Sequence, residues 1–261
     1  MALRASPRMA EARARDSDQA AGLRRLFGVA PARLAPILVD ARCASSQVAS
    51  IVRLAQACAR IGERTLVLDC ARMQVAASLG LRARFDLLHA LRGDCNLEQV
   101  RLDAGLNLGI IPAARALAQS RGAEAEFMAL LGALANGPLA ADLVLMILDA
   151  PQAILLRAAN RGEVIVPMAR ERSTWSGMLR SLARLANGTD IAGFRLLFPA
   201  WDAGTAARLY AELVQTCGAR LHVELRFGGA MRVAHDWLRV ARAMSEWELL
   251  RLPRPQTVRT F

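Results

Sequence analysis

Lysine is missing from this chain of 261 residues: all 34 basic side chains are arginine, set against 23 acidic ones, for a formal net charge of +11. That absence excludes a Schiff-base lysine and the lysine ammonium that ordinarily reaches a nucleotide's phosphates. Five cysteines (Cys43, Cys58, Cys70, Cys95, Cys217) form no C-x-x-C, and the three histidines (His89, His222, His235) are scattered. No zinc framework or disulfide scaffold is therefore expected, and the thiols read as structural. Long apolar runs are lacking too. Leu139–Leu148 is interrupted by Asp142 and is too short to span a bilayer, and the N-terminus carries no secretory apolar stretch, so a cytoplasmic protein is expected.

What the chain does have is 54% hydrophobic residues in periodic segments, enough to bury a full core. Its arginine excess favours acidic partners such as nucleic acid, anionic lipid or an acidic protein, with plain solvated surface as the alternative.

The organising stretch is Ile37–Asp69. Ile37–Val39 and Thr65–Asp69 are short apolar runs, the second ending in a carboxylate. Between them Val48, Ile51, Val52, Leu54, Ala55, Cys58 and Ile61 recur at helical spacing, and Gly62 suits the helix C-terminus. Strand, helix and returning strand make a βαβ unit, whose first loop is where a phosphate would bind. The loop itself, DARCASSQVAS, contains neither glycine nor lysine.

Residues 1–15 read as a disordered arm and residues 16–30 as a short helix with Ala20, Leu23 and Phe27 on one face. Gly28–Pro36, with two prolines, reads as a linker, and the domain proper is placed at 31–250. Short helices are expected at Phe85–Arg92 and Asn96–Val100, then a strand at Asn107–Pro112 and a helix at Ala123–Ala135. Leu143–Asp149 is the most apolar strand and should be central; its terminal carboxylate could share a crevice with Asp69. Gln152–Asn160, Trp175–Ala186 and Ala203–Thr216 read as helices, and Gly162–Met168, Phe194–Phe198 and Leu221–Leu225 as strands. The alternation predicts an α/β fold: a doubly wound, mainly parallel sheet with helices on both faces. A last amphipathic helix is expected at Met231–Leu250, its stripe including Met231, Trp237, Leu238 and Met244. That stripe suits docking on the domain or lying on an anionic membrane. Residues 251–261 read as an unstructured tail.

The stretch from Ile37 to about Phe227 resembles the MinD/ParA-like ATPases, P-loop proteins with a deviant Walker A motif. The family loop, of the form SGKGGVGKTT, falls on Asp40–Ala49. Its signature lysine falls on Arg42, its phosphate-loop lysine on Gln47, its Mg²⁺-ligating hydroxyl on Val48, and its glycines on Ala41, Cys43, Ala44 and Ser46. LVLDCARM resembles the family strand ending in Asp-x-Asp, with Asp69 kept and Ala71 in the second place. MILDAPQA resembles the Walker B strand, with Asp149 kept. FDLLHALRGDCNLEQV followed by LNLGIIPA resembles the flagellar branch (FlhG, FleN, YlxH). Asp18-Gln19-Ala20-Ala21-Gly22-Leu23-Arg24 matches the DQAxxLR motif of that branch.

In that branch the motif implies a helix that engages FlhF, a GTPase of the signal-recognition-particle type, and stimulates its GTP hydrolysis. Asp18, Gln19, Ala20, Leu23 and Arg24 are the partner-binding residues so implied. Arg42, Gln47, Val48, Asp69 and Asp149 become a vestigial nucleotide site, because a phosphate loop needs glycine conformations, a lysine and a hydroxyl. The expectation is a pseudo-ATPase, with ATP and Mg²⁺ binding lost or weak, no catalytic residue and no metal. It would regulate flagellar number or placement as a monomer in the cytoplasm, or peripherally at the inner membrane or cell pole, without sequence-specific nucleic-acid binding. The alternative is an active or weakly ATP-binding MinD/ParA-type ATPase in flagellar or partition positioning.

Overall fold

In the computed structural model, residues 31–40, 44–120, 122–158, 161–218 and 222–252 are described. Among them nine strands form one sheet: β1 (Arg33–Leu38), β2 (Thr65–Asp69), β3 (Leu102–Asp103), β4 (Leu108–Pro112), β5 (Leu143–Leu148), β6 (Glu163–Pro167), β7 (Gly193–Pro199), β8 (Glu224–Met231) and β9 (Leu250–Arg251). Their order is β3-β4-β2-β5-β1-β6-β7-β8, with β9 pairing β1. Pairing is parallel except at β3–β4 and β1–β9. The strands wind outward in both directions from β1, as expected of a doubly wound α/β fold.

The helices are α1 (Ala44–Arg60), α2 (Val75–Ser78), α3 (Leu87–Leu91), α4 (Leu97–Val100), α5 (Ala114–Gln119), α6 (Glu124–Asn136), α7 (Trp175–Gly188), α8 (Ala203–Leu213) and α9 (Ala234–Ala243). Because side chains alternate along a strand, the sheet feeds two cores. Ile37, Val67, Leu145, Ile147 and Ile165 pack with Ile51, Leu54 and Cys58 of α1 and Trp237 and Ala241 of α9. Leu34, Leu38, Leu68, Met146 and Val166 pack with Phe127 and Leu131 of α6, Leu182 of α7 and Leu209 of α8. All six residues of β5 are buried, as a central parallel strand covered on both faces requires.

Several expected boundaries are corrected. β1 starts at Arg33, inside the stretch read as a linker, and Pro36 lies within it. On its β6 side, β1 pairs with β9 at Arg33 and Leu34 and with β6 at Ile37. Pro36 stands where the neighbour changes, a place where a missing N–H costs the ladder little. The strand expected at Leu221–Leu225 instead runs from Glu224 to Met231. It carries a bulge opposite Leu196/Leu197, with Gly228 as the extra residue and Gly229 at φ +128°. Residues 152–158 form a 3₁₀ helix, and α8 ends in a π turn over 214–218.

The amphipathic helix is shorter than expected. Met231 ends β8, α9 spans Ala234–Ala243, Met244–Glu246 is a 3₁₀ turn and Leu250 begins β9. Met231, Trp237 and Met244 are 1%, 5% and 0% exposed, so these three are core residues and present no membrane face; Leu238 is half-buried. They join the core formed with α1, where the Cys58 thiol lies 3.8 Å from the Met244 sulfur. Burial raises the Cys58 pKa to about 12, which leaves it an unreactive thiol. Arg251 and Leu252, expected to open an unstructured tail, are placed as well: Arg251 pairs with Arg33, and Leu252 is 1% exposed. No described helix is long and apolar enough to cross a membrane.

At the amino end of β6, the fully buried Glu163 holds Arg195 through two bonds of 2.6 Å and also pairs with Arg226. Arg226 reaches on to Glu224 and Glu248, and Arg195 lies 4.7 Å over the Trp247 ring. This network ties β6, β7 and β8 to the segment before β9, at the end of the strands opposite the candidate site.

Candidate functional site

In a parallel sheet the carboxyl ends of the strands face the loops that bind ligands. Here those ends are β1, β2, β5 and β6, and two glutamines join them in pairs. α1 places Gln47 one turn into the helix, 1% exposed. Its Oε1 accepts a 2.9 Å bond from the Asp40 backbone N–H just past β1, and its Nε2 donates a 3.0 Å bond to the Pro167 carbonyl at the end of β6. A neutral amide accepts at its oxygen and donates at its nitrogen, so one side chain can serve both groups, which a lysine ammonium, with donors only, cannot. Gln47 therefore closes the β1–β6 gap from both sides.

The second glutamine was not singled out from the sequence. Gln152 accepts from the Asp149 N–H at Oε1 (3.1 Å), while the Asp149 carboxylate accepts from the Gln152 N–H (3.0 Å). The Gln152 Nε2 then donates to the Cys70 carbonyl at 2.6 Å. This reciprocal box, built on the same logic as a helix capping box, links the end of β5 to the end of β2. The sequence signal was present in Asp149-x-x-Gln152; its reach to Cys70 depends on strands 82 residues apart being neighbours.

Asp69 is 6% exposed and serves its own loop. Its two oxygens accept from the N–H groups of Met73 (2.9 Å) and Val75 (3.2 Å). Those bonds hold a turn in which Arg72 (φ 55°) and Gln74 (φ 57°) adopt the left-handed conformation that costs a residue with a Cβ of order 1 kcal/mol or more. Burial raises the Asp69 pKa, and the backbone N–H groups of Met73, Val75 and Gln74 oppose that shift. β2 and β5 are adjacent, but Asp69 and Asp149 are each engaged by the loop that follows its own strand. Burial also pushes the Cys70 thiol well above its ordinary range, with Asp69, Asp86 and Asp149 adding to the shift.

Of the residues expected to form the nucleotide site, Gln47 is committed at both ends of its amide, and Val48 is 7% exposed and has no side-chain oxygen. Beside Gln47, Asp40, Pro167, Trp175 and Met178 line a cavity of about 10 Å³, room for no more than about one water. The Trp175 indole N–H donates 2.7 Å to the Ala169 carbonyl and fixes that wall. Arg42 lies outside the described residues, as do Asp18, Gln19, Ala20, Leu23 and Arg24. Among the described residues no group of His, Cys, Asp and Glu could hold a metal ion.

No protein-family model matches the sequence, and no curated protein does. Solved structures do match over most of the chain. One is the MinD cell division protein of Aquifex aeolicus: 13% identity, 86% of this chain and 100% of that one, TM-score 0.54. A plasmid partition protein from Borrelia burgdorferi gives 12% identity, 82% and 99% coverage, and TM-score 0.53. Cobyrinic acid a,c-diamide synthase from Mycobacterium smegmatis, solved with bound ATP analog and magnesium, gives 16%, 85% and 100%, and 0.55. The chain thus shares the α/β fold of these structures, as its sequence led us to expect.

Proposed function

We propose that this MinD/ParA-type fold serves as a non-hydrolysing regulator: a pseudo-ATPase that governs flagellar number or placement by engaging a GTPase of the signal-recognition-particle type through Asp18–Arg24. The single observation that carries the pseudo-ATPase half is the side chain at position 47. Where the resembled loop has lysine, Gln47 spends its acceptor on Asp40 and its donor on Pro167. It offers no positive charge, and Val48 offers no ligand for Mg²⁺. These residues do not fit a magnesium-bound nucleoside triphosphate. Asp69 and Asp149 fit the same reading, since each has a structural task in its own loop.

The partner half rests on the DQAxxLR-like segment, retained in sequence ahead of a domain whose loop chemistry has been replaced. The partner's GTP turnover, measured with and without the full chain, tests it. Wild-type chain should raise turnover, and Gln19→Ala and Leu23→Ala should abolish the effect while leaving the chain's thermal transition unchanged. No stimulation by wild-type chain would remove the proposal.

A further inference from the structure

We propose that the groove between α1 and α9 is a binding site for a small organic anion, an apolar or aromatic body carrying phosphate, sulfonate or carboxylate. The groove encloses about 360 Å³, within the ~300–1,000 Å³ of small-ligand sites. Its floor is apolar: Ala57 and Trp237 are buried, and Leu238 is half-buried. Its rim is cationic: Arg53, Arg60 and Arg232 are all exposed. Arg53 and Arg60 lie seven residues apart on α1, two turns on one face and roughly 10 Å along the axis. Arg232 enters from the other side, on the segment leading into α9.

None of the three guanidiniums makes an ion pair within 4 Å among the described residues, whereas Arg33 and Arg239 do. Arg232 acts at longer range on Asp202, whose carboxyl is held below its ordinary range first by the Thr205 N–H and last by this charge. The acid closest in sequence to Arg232, Asp236, is already used: it accepts from the Arg232 and Val233 backbone N–H groups and from the Arg239 side chain. The groove also meets the start of α9 at Ala234, the positive end of that helix's dipole. Three like charges around an apolar floor are neutralised by a ligand that supplies anionic oxygens at the rim and hydrophobic surface below. A bilayer fits less well, because the groove's apolar lining, Ala57, Trp237 and Leu238, is recessed beneath the arginines and Val233 is the one large apolar side chain exposed beside the rim, too little to anchor in lipid.

The test is titration of the full chain with 8-anilinonaphthalene-1-sulfonate, followed by dye fluorescence. Saturable single-site binding, displaced by inorganic pyrophosphate, is expected. Losing charged hydrogen bonds in Arg53→Gln/Arg60→Gln should weaken it at least tenfold. Leu238→Gln should weaken it as well. The arginine substitutions touch exposed, unpaired side chains, so an unchanged thermal transition separates lost binding from unfolding. Absent or non-saturable dye binding, or equal affinity in the double variant, would overturn the site. Sedimentation with phosphatidylglycerol vesicles is the second arm. Vesicle binding that needs these arginines, without dye binding, would assign them to a membrane surface and overturn the small-ligand site.

Discussion

Replacing Gln47 with leucine keeps the side-chain volume nearly constant and removes both of its hydrogen bonds. Pro167 is buried and its carbonyl would lose the Nε2–H donor at 3.0 Å; the half-buried Asp40 N–H would lose its acceptor at 2.9 Å. Stranding such groups costs ~1–3 kcal/mol each, nearer the upper end for Pro167 and the lower for Asp40. Leucine recovers part of this through its better transfer into a dry site, so a net loss of about 1–3 kcal/mol is expected. For a domain of this size that is a fall of roughly 2–6 °C in Tm. Urea unfolding followed by circular dichroism reads it as a lower midpoint at unchanged slope. Gln47→Lys, which restores the residue type of the resembled loop, should be worse than leucine: it keeps a donor for Pro167, loses the acceptor and buries a charge. A leucine variant within ~0.5 kcal/mol of wild type, or a lysine variant that gains ATP affinity at full stability, would refute the reasoning.

Three further outcomes are expected. Burial raises the Asp69 pKa, so the folded state binds that proton more tightly than the unfolded state does. As pH rises from the ordinary aspartate value through the raised one, wild type should lose stability relative to Asp69→Asn; chemical denaturation across that range checks it, and a trend of opposite sign would mean that the Met73 and Val75 N–H groups outweigh burial. Trp237→Ala should cost about 3–5 kcal/mol, since the ring is a core side chain between α9 and α1, and calorimetric unfolding measures it. Glu163→Ala should cost a similar ~3–5 kcal/mol by leaving Arg195 and Arg226 without their shared buried carboxylate, again read by unfolding.

The central strands were legible because their burial on both faces writes itself as unbroken apolar runs, as in Leu143–Leu148. α1 was legible from its single apolar stripe; α3 and α4, expected as short helices, prove to be capped by Asp86 and Asn96. Pro36 hid the start of β1, since proline signals a break unless the change of neighbour from β9 to β6 is known. Gly228 and Gly229 hid the end of β8 in the same way, by reading as punctuation where they form a bulge. Met231 fell on the stripe of the following helix because strand end and helix enter the same core with Trp237. At the site, sequence comparison showed what position 47 had lost. What Gln47 gained, bonds to residues 7 and 120 positions away, required the fold.

Calorimetric titration of the full chain with ATP, with and without Mg²⁺, tests the pseudo-ATPase reading most directly. The expected result is no magnesium-dependent binding at ATP concentrations up to about 1 mM, a ceiling near −4 kcal/mol of binding free energy. Micromolar, magnesium-dependent binding accompanied by turnover that Asp149→Ala abolishes would contradict it.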